Sequence, residues 1–334
     1  MLAEKKRAAF LNSDSPKTPD RPFTLPPGEF RPKQSLGQNF LSDQNYVLKI
    51  VNELKDTSEN GHKVIEIGPG PGALTRVLFE RYPKMTAIEI DQRAVEFLAT
   101  KLPGLKVINQ DVLEVDWPQI ASERDGKVNI IANLPYYIVS QVLFSLADSY
   151  KAIEKAIVTM QLEVAERLCA SPNTKAYGIP SVVFQLYANP KMNFKIPPTV
   201  FYPAPKVDSA LVTLDFTKPH PELHSVDGDQ LRRVITEAFR KRRKMMRQSL
   251  KELLTQEGLE IPEKWAERRP EQLTPSDFLD LTRDLFQAKN NNNNNIKSND
   301  NDELGYKSKK IWRSLYSINQ KDATNTTNAT DSDE

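Results

Sequence analysis

The chain has 334 residues, of which 39% are hydrophobic, and a formal net charge of +2, so it can bury the core of one large domain and a smaller one. Its single cysteine excludes a disulfide framework and a cysteine-bound zinc cluster, and its three histidines lack the spacing of metal ligands, so we expect no metal site. No apolar run approaches the roughly 20 residues that span a bilayer, and the N-terminus lacks the apolar segment of a secretory signal.

The first 30 residues carry five prolines among charged side chains and show little apolar periodicity. A segment of this composition cannot bury enough apolar surface to offset the entropy of ordering the chain. We therefore predict a disordered arm over residues 1–30.

From residue 31 to 217, short apolar runs alternate with amphipathic stretches. This alternation is typical of an α/β domain with a doubly wound, mostly parallel sheet. The predicted elements are the strand Val64–Ile67, the helix Ala73–Arg81, the strand Met85–Ile90, the helix Arg93–Lys101 and the strands Lys106–Asn109, Asn129–Ala132 and Ala156–Gln161.

A glycine-rich loop follows the first of these strands, in the segment VIEIGPGPGALT over residues 64–75. Glycines such as Gly68 and Gly70 allow a ligand to approach the backbone, and the N-terminus of the next helix favours an anion. The glycine spacing matches neither the dinucleotide pattern nor a P-loop. A smaller anion, such as an amino-acid carboxylate, is therefore the better match.

Two acidic residues lie at the ends of the next two strands. Glu89, 21 residues after Gly68, can accept both hydroxyls of a ribose, as the acidic residue of dinucleotide folds does. Asp111 can accept the amino group of an adenine while Val112 lies against the ring. Open α/β sheets bind ligands at the carboxyl ends of their strands, so these residues predict an adenosine-containing ligand.

The segment IANLPYYI, residues 131–138, follows another buried strand and contains Asn133, Leu134, Pro135 and Tyr136. An Asn-x-Pro sequence after a strand is also an ordinary turn signal, and a tyrosine there is an ordinary residue at the edge of a core. In this chain, however, the amide and the ring complete a set of four motifs at strand ends. The four motifs in this order are specific as a combination.

Residues 218–287 show helical patterns only and predict a small helical domain. Within them, residues 231–251 hold nine basic side chains and one acid, a local charge of +8 that leaves −6 for the rest of the chain. Such a basic stripe on a mildly acidic body indicates a polyanion ligand. On a continuous helix one face would carry Arg240, Arg243, Lys244, Arg247 and Lys251, and we predict that these residues bind the phosphates of a nucleic acid. The alternative is a solvated helix face, which would normally mix both signs of charge.

Together these segments resemble the ribosomal RNA adenine dimethyltransferases, the family of the bacterial kasugamycin-sensitivity methyltransferase. The resemblance spans about Lys33–Phe286 and rests on QSLGQNFL, EIGPGPGALT, IEID, QDVLEVD, NLPYYI, KAYGIPSV and IPPTVFYPAPKVDSALV. The motifs are closer to the bacterial and organellar branch than to the nuclear one. One departure is Tyr137, where many bacterial members carry Asn.

The resemblance implies a class I methyltransferase that moves methyl groups from S-adenosylmethionine to N6 of two adjacent adenosines in the 3′-terminal hairpin of small-subunit ribosomal RNA. It also implies a set of cofactor-binding residues, namely Asn39, Leu41, Gly68, Gly70, Glu89, Asp111, Val112 and Asn133. Without the family, Asn39 and Leu41 would be interpreted as the lead-in to a helix capped by Ser42 or Asp43.

The NLPY residues then have a chemical role. The N6 amine of adenine is a poor nucleophile because its lone pair is delocalised into the ring. The side-chain oxygen of Asn133 and a main-chain carbonyl of the Leu134-Pro135 turn can accept its hydrogens, and Tyr136 can stack on a base drawn out of its helix. The methyl donor is a sulfonium cation, so transfer needs placement more than it needs a general base.

Three alternatives remain from the sequence. A large-subunit ribosomal RNA methyltransferase of the macrolide-resistance type would share every cofactor motif. The chain could instead be a ribosome-assembly factor or an organellar transcription factor with a secondary methyltransferase activity, or it could act on adenine in DNA. Nothing in the sequence indicates an obligate oligomer, so we expect a monomer.

Residues 288–334 include six consecutive asparagines and a polar continuation, and they predict a disordered tail. Such tails are more usual in eukaryotes, where a bacterial-type member would be expected in a plastid or a mitochondrion. In a bacterium it would be cytoplasmic. The acidic residues Glu4, Asp14 and Asp20 make the N-terminus a poor transit peptide, so the sequence leaves both locations open.

Overall fold

The computed structural model describes Phe30 and residues 37–292, with side chains described up to Phe286. Of the arm predicted over residues 1–30, residues 1–29 lie outside the described residues, whereas Phe30 is buried against Phe40 and Phe97. Of the tail predicted over residues 288–334, residues 293–334 lie outside them, and the last helix includes residues 288–292. Within the described part of the chain, no helix is long and apolar enough to cross a membrane. The same residues contain no group of three His, Cys, Asp or Glu side chains that could hold a metal ion.

Within residues 37–292, nine strands form two sheets. The strands are β1 (Phe40–Leu41), β2 (Val64–Ile67), β3 (Thr86–Glu89), β4 (Lys106–Asn109), β5 (Val128–Asn133), β6 (Ile153–Gln161), β7 (Asn189–Ile196), β8 (Phe201–Tyr202) and β9 (Ser209–Asp215). Seven of them make the central sheet in the order β4-β3-β2-β5-β6-β9-β7, and β1 pairs with β8. The first five strands in that order are parallel, and β9 runs antiparallel to both of its neighbours. The predicted doubly wound, mostly parallel sheet is confirmed.

Helices connect these strands and pack on the sheet. They are α1 (Gln44–Glu53), α2 (Thr75–Arg81), α3 (Gln92–Lys101), α4 (Trp117–Ser122), α5 (Tyr136–Asp148), α6 (Leu162–Leu168) and α7 (Ile179–Tyr187). All four residues of β2 and of β3 are buried. Strands covered on both faces read as continuous apolar runs rather than alternating ones, so Glu66 within β2 is the exception to the pattern.

The C-terminal region is helical, as predicted. Its helices are α8 (Gly228–Arg240), α9 (Met246–Ser249), α10 (Lys251–Glu257), α11 (Glu263–Ala266) and α12 (Pro275–Asn292). One hydrophobic cluster runs through it and through the sheet, with Val212, Leu231 and Phe278 among its members. The two regions therefore share a continuous core.

The prediction of one continuous basic helix was wrong. Helix α8 ends at Arg240, the next four residues form turns, and α9 and α10 follow as separate short helices. Five consecutive basic residues, 240–244, would repel one another along a helix surface. The bend also allows Met246 and Leu250 to enter the core, where both are fully buried. The hydroxyl of Ser249 lies 3.2, 3.3 and 3.2 Å from the carbonyl oxygens of Lys241, Lys244 and Met245, so its one hydrogen can be donated to any of the three.

Candidate active site

A pocket opens at the carboxyl ends of β2, β3 and β5, beside β1. It contains about 960 Å³ of empty space, a volume that includes open solvent at its mouth. The structure brings together on its wall all eight residues predicted to bind a cofactor, namely Asn39, Leu41, Gly68, Gly70, Glu89, Asp111, Val112 and Asn133.

The glycine loop lets two other segments approach the backbone closely. Gly68 and Gly70 have φ angles of 66° and 52°, which favour glycine. A Cβ atom on Gly70 would lie 3.0 Å from the ring of Phe40, and one on Gly68 would lie 2.9 Å from the side chain of Leu134. The loop therefore brings the QNFL and NLPY motifs against the end of β2.

Glu89 organises the loop that it faces. This last residue of β3 is 6% exposed, and its two oxygens accept hydrogen bonds from the backbone N–H groups of Gly70 and Asp91, at 3.0 and 2.8 Å. Burial raises the pKa of its carboxyl above the ordinary value, although these backbone hydrogen bonds oppose the shift. Each oxygen keeps a second lone pair for a ligand hydroxyl.

Glu66 is a pocket residue that the sequence analysis missed. It lies in the middle of β2, lines the pocket, and is 2% exposed. Burial raises the pKa of its carboxyl to about 8; the nearby Thr75 hydroxyl opposes this shift and the Glu89 carboxylate adds to it. Among the described residues, its Oε2 atom has no hydrogen-bond partner. A charged residue inside an apolar strand was the signal that could have identified it.

Asp111 and Val112 form the adjoining wall. Asp111 follows β4 by two residues rather than ending it, and one of its oxygens accepts from the backbone N–H of Leu113 at 2.8 Å. Val112 is 8% exposed and presents an apolar surface to the pocket. The pair thus offers one acceptor beside one apolar side chain.

The QNFL segment satisfies both interpretations of its sequence. Strand β1 pairs with β8, with Leu41 opposite Phe201, and so lies across the pocket mouth. Asp43 then caps α1 by accepting hydrogen bonds from the backbone N–H groups of Asn45 and Tyr46. The segment is therefore a helix lead-in and a pocket wall at once.

Asn133 ends β5 with both ends of its amide engaged. Its nitrogen donates to the carbonyl of Asn39 at 3.3 Å, and its oxygen accepts from the hydroxyl of Thr159 on β6. Pro135 caps α5 with a φ of −56°. The contact with Thr159 therefore orients the amide oxygen from the neighbouring strand. Pro135 fixes the turn at the start of the helix that follows.

Two tyrosines begin helix α5 and differ in environment. Tyr136 is half-buried, and its hydroxyl lies 2.6 Å from the hydroxyl of Ser209. Tyr137 lines the pocket and is 50% exposed. The predicted base-stacking residue, Tyr136, does not line this pocket, and its hydroxyl is directed toward β9.

Comparison with known proteins identifies the family. Residues 29–286 match the model described as ribosomal RNA adenine dimethylase. The chain belongs to the ribosomal RNA adenine dimethylase family. A ribosomal RNA small subunit methyltransferase A from Salinibacter ruber is 46% identical over 256 residues, which cover 77% of this chain and 86% of that protein. One of the same name from Chlorobium phaeobacteroides is 39% identical and covers 77% and 95%.

Two solved structures have a similar fold. A dimethyladenosine transferase from Plasmodium falciparum is 23% identical with a TM-score of 0.61, covering 75% of this chain and 98% of that one. The 23S rRNA methyltransferase ErmE is 25% identical with a TM-score of 0.52, covering 74% and 100%. The dimethylase family fold is thus a class I methyltransferase sheet with a helical C-terminal region.

Membership of the dimethylase family implies S-adenosylmethionine as the cofactor, and the pocket fits that molecule. Its ammonium group matches the orphaned, buried Oε2 of Glu66, and its ribose hydroxyls match the carboxylate of Glu89. The glycine loop lines the same pocket. Acceptors for the ammonium group and for the ribose hydroxyls of the cofactor therefore lie on one wall.

A second concave surface, which we call the basic groove, lies between the two regions of the chain. It is lined by residues 173–175 before α7, residues 239–244 at and after the end of α8, Arg269 and Glu271. Arg240, Arg243 and Lys244 are exposed within it. Arg247 and Lys251 are also exposed but lie outside its lining. The structure therefore brings together three of the five predicted RNA-binding residues.

Ion pairs further distinguish these basic residues. Arg240 pairs with Glu237 at 2.6 Å, and Arg247 pairs with Glu267 at 3.4 Å. Within the described residues, the structure gives Arg243 and Lys244 no ion pair. These two side chains are thus the ones most available to an anionic ligand in the basic groove.

Arg242 links the segments of the chain that form one wall of the groove. Its guanidinium donates to the Glu271 carboxylate at 3.0 Å and to the carbonyls of Lys175 and Thr174, at 2.8 and 2.9 Å. The backbone N–H of Asn173 also donates to the carbonyl of Glu271, at 2.7 Å. Residues 173–178 of the sheet region, which we call the KAYG loop after the sequence of residues 175–178, are therefore attached to the helical region at this point.

Proposed function

We propose that this dimethylase transfers methyl groups from S-adenosylmethionine to N6 of two adjacent adenosines in the 3′-terminal hairpin of small-subunit ribosomal RNA. It acts as a monomer wherever bacterial-type small subunits assemble, in a bacterial cytoplasm, a plastid or a mitochondrion. One observation carries the proposal. The amide oxygen of Asn133 is held at the end of β5 on the same pocket wall as Glu89 and Asp111.

The cofactor would be held by residues from four strand ends. Glu66 and the glycine loop would hold its methionine part, Glu89 its ribose, and Asp111 and Val112 its adenine, with Asn39 and Leu41 across the mouth. When bound, it supplies a methyl group on a sulfonium centre, an electrophile that can react with a neutral amine.

The residues of the chain prepare the amine for that reaction. Because Thr159 occupies only one lone pair of the Asn133 oxygen, the other can accept a hydrogen of N6. A carbonyl of the Leu134-Pro135 turn would accept the second hydrogen. The two acceptors restrain the amine so that its lone pair points out of the ring plane, while Tyr136 stacks on the base. The S–C bond would break as the N–C bond forms, and the positively charged nitrogen that results would release one hydrogen as a proton to solvent. Placement therefore replaces a general base for the attack in this scheme.

The basic residues explain how a substrate as large as a structured RNA could be held. Phosphate contacts set the register of a structured RNA, and only the target base needs to enter the pocket. We propose that Arg240, Arg243, Lys244, Arg247 and Lys251 make these contacts, with Arg243 and Lys244 contributing most because they are exposed in the basic groove without ion pairs. A structured RNA could contact the groove while its target base enters the pocket.

Methyl transfer to purified, unmethylated small subunits, followed by mapping of the modified nucleotides, tests the function directly. We expect dimethylation of two adjacent adenosines in the 3′-terminal hairpin. Large subunits and duplex DNA should be poor substrates. Because ErmE shares the fold at 25% identity, modification of large subunits instead would identify the alternative function. No transfer to either subunit would favour an assembly factor.

Two charge-matched double variants test the basic groove. The double variant Arg243→Ala/Lys244→Ala removes two charges from the groove, and Arg247→Ala/Lys251→Ala removes two charges outside it. Each lost phosphate contact should lower the salt dependence of binding, the slope of log affinity against log salt, by about 0.7 to 0.9. We expect the larger loss of subunit affinity from the groove variant, with cofactor affinity unchanged in both. Equal losses would mean that overall charge, not the groove, governs binding.

A further inference from the structure

The buried hydroxyl of Ser209 lies at the active-site end of the sheet. Ser209 is the first residue of β9 and is fully buried. Strand β9 is hydrogen-bonded on both sides, so Ser209 stands opposite Gln161 of β6 and Ile196 of β7. Its hydroxyl is therefore attached to backbone that cannot shift without disturbing two neighbouring strands.

The other partner of this contact, Tyr136, lies at the start of a helix and not within a sheet. Tyr136 is the first residue of α5, and only its neighbour Pro135 caps the helix, without a side-chain hydrogen bond. Its ring is half-buried, and its hydroxyl lies 2.6 Å from that of Ser209. Because the hydroxyl is at the far end of the ring axis, holding it fixes the direction of the whole side chain.

We infer that Ser209 is a positioning residue for methyl transfer, because its buried hydroxyl holds the Tyr136 ring in the orientation that receives the target base. This inference rests on the proposed function, in which Tyr136 stacks on an adenine. Stacking depends on the plane and height of the ring relative to the acceptors at Asn133. A ring free to change rotamer would still stack on a base, but not at a constant distance from those acceptors.

The contact also explains why a polar residue occupies this position. A buried hydroxyl without a partner is costly, whereas an alanine of similar size would leave no polar group to satisfy. Burial raises the pKa of the Tyr136 phenol, and the hydrogen bond with Ser209 opposes that shift. Both hydroxyls therefore stay neutral, and either can donate to the other.

Kinetics of Ser209→Ala, Tyr136→Phe and the double variant on small subunits test the inference. Each single variant removes the same hydrogen bond from one side and keeps the ring. We expect each to lower kcat about five- to tenfold, as loss of one such bond allows, with cofactor affinity unchanged by calorimetry. The double variant should lose no more than either single one. Additive losses would overturn the inference, because they would mean that the two hydroxyls act separately.

A matched control is Thr213→Val, on the same strand. The hydroxyl of Thr213 donates to Asn193 at 2.9 Å, away from the catalytic motif. This variant should change the melting temperature about as much as Ser209→Ala does while kcat stays at the wild-type value. A wild-type kcat for Ser209→Ala would overturn the positioning role. Absence of methyl transfer by the wild-type protein itself would instead contradict the proposed function.

Discussion

The hydroxyl of Thr159 donates a hydrogen bond to the side-chain oxygen of Asn133. The two residues stand directly opposite each other on the parallel strands β5 and β6, and Thr159 is 1% exposed. The bond settles which end of the Asn133 amide is the acceptor, because the nitrogen then faces the carbonyl of Asn39. The buried side chain of Thr159, on the neighbouring strand, thus determines which atom of the Asn133 amide serves as the acceptor.

Thr159→Val should therefore lower methyl transfer by about two- to tenfold, the range expected for losing one neutral hydrogen bond. Valine has nearly the same shape, so the core should remain packed. The Asn133 amide, however, would lose the hydrogen bond from the neighbouring strand that orients it. Thr159→Ser keeps the hydroxyl and is the matched control. Steady-state kinetics on small subunits provide the measurement, and equal rates for the valine and serine variants would contradict the role.

Asn133→Ala should lower methyl transfer by two or more orders of magnitude and leave S-adenosylmethionine affinity within a few-fold. The expected difference arises because the amide oxygen acts on the N6 hydrogens, whereas cofactor contacts are spread over Glu66, Glu89 and Asp111. Single-turnover kinetics and calorimetry measure the two quantities separately. A comparable loss in both would assign Asn133 to cofactor binding.

Arg242→Ala should destabilise the protein, whereas Arg243→Ala should not. Arg242 makes two hydrogen bonds across the boundary, to the carbonyls of Lys175 and Thr174, and one to Glu271 within the helical region. Its loss should lower the free energy of unfolding by about 1 to 3 kcal/mol. Arg243 is exposed, and its replacement should change stability by less than about 0.5 kcal/mol.

Denaturant unfolding of both variants measures the difference, and subunit binding by Arg243→Ala gives the complementary result. We expect Arg243→Ala to weaken binding at unchanged stability. If Arg242→Ala unfolds at the wild-type denaturant concentration, the attachment of the KAYG loop to the helical region carries no stability.

Glu66→Gln should become more stable relative to the wild type as the pH rises from 5 to 8. The folded-state pKa of Glu66 is about 8, against an ordinary value of 4.5. Between these values the unfolded chain loses the proton and the folded chain keeps it, so the wild type loses stability at up to about 1.4 kcal/mol per pH unit. Glutamine does not titrate.

Urea unfolding of both proteins without cofactor, at pH 5 and pH 8, provides the comparison. Other titrating groups are common to the two chains and cancel in the difference. A difference in unfolding free energy that stays constant across this range would mean that Glu66 is ionised in the folded protein.

The amino-acid sequence by itself determined the sheet and most of the pocket wall. Parallel strands present their carboxyl ends at one edge, so motifs at successive strand ends had to converge once the strands were identified. Gly68, Glu89 and Asn133 were therefore recognisable without coordinates. The strand Val64–Ile67 has the predicted bounds, and Thr86–Glu89 lies within the predicted strand.

Only the tertiary structure decided which side chains support that wall and how the basic stripe bends. Thr159 and Ser209 meet Asn133 and Tyr136 across strands, and no local pattern encodes a contact between residues 26 or 73 positions apart. The basic segment is helical by local propensity, yet burial of Met246 in the shared core outweighs the few tenths of a kcal/mol that helix periodicity contributes there. Packing therefore broke the helix and opened the basic groove.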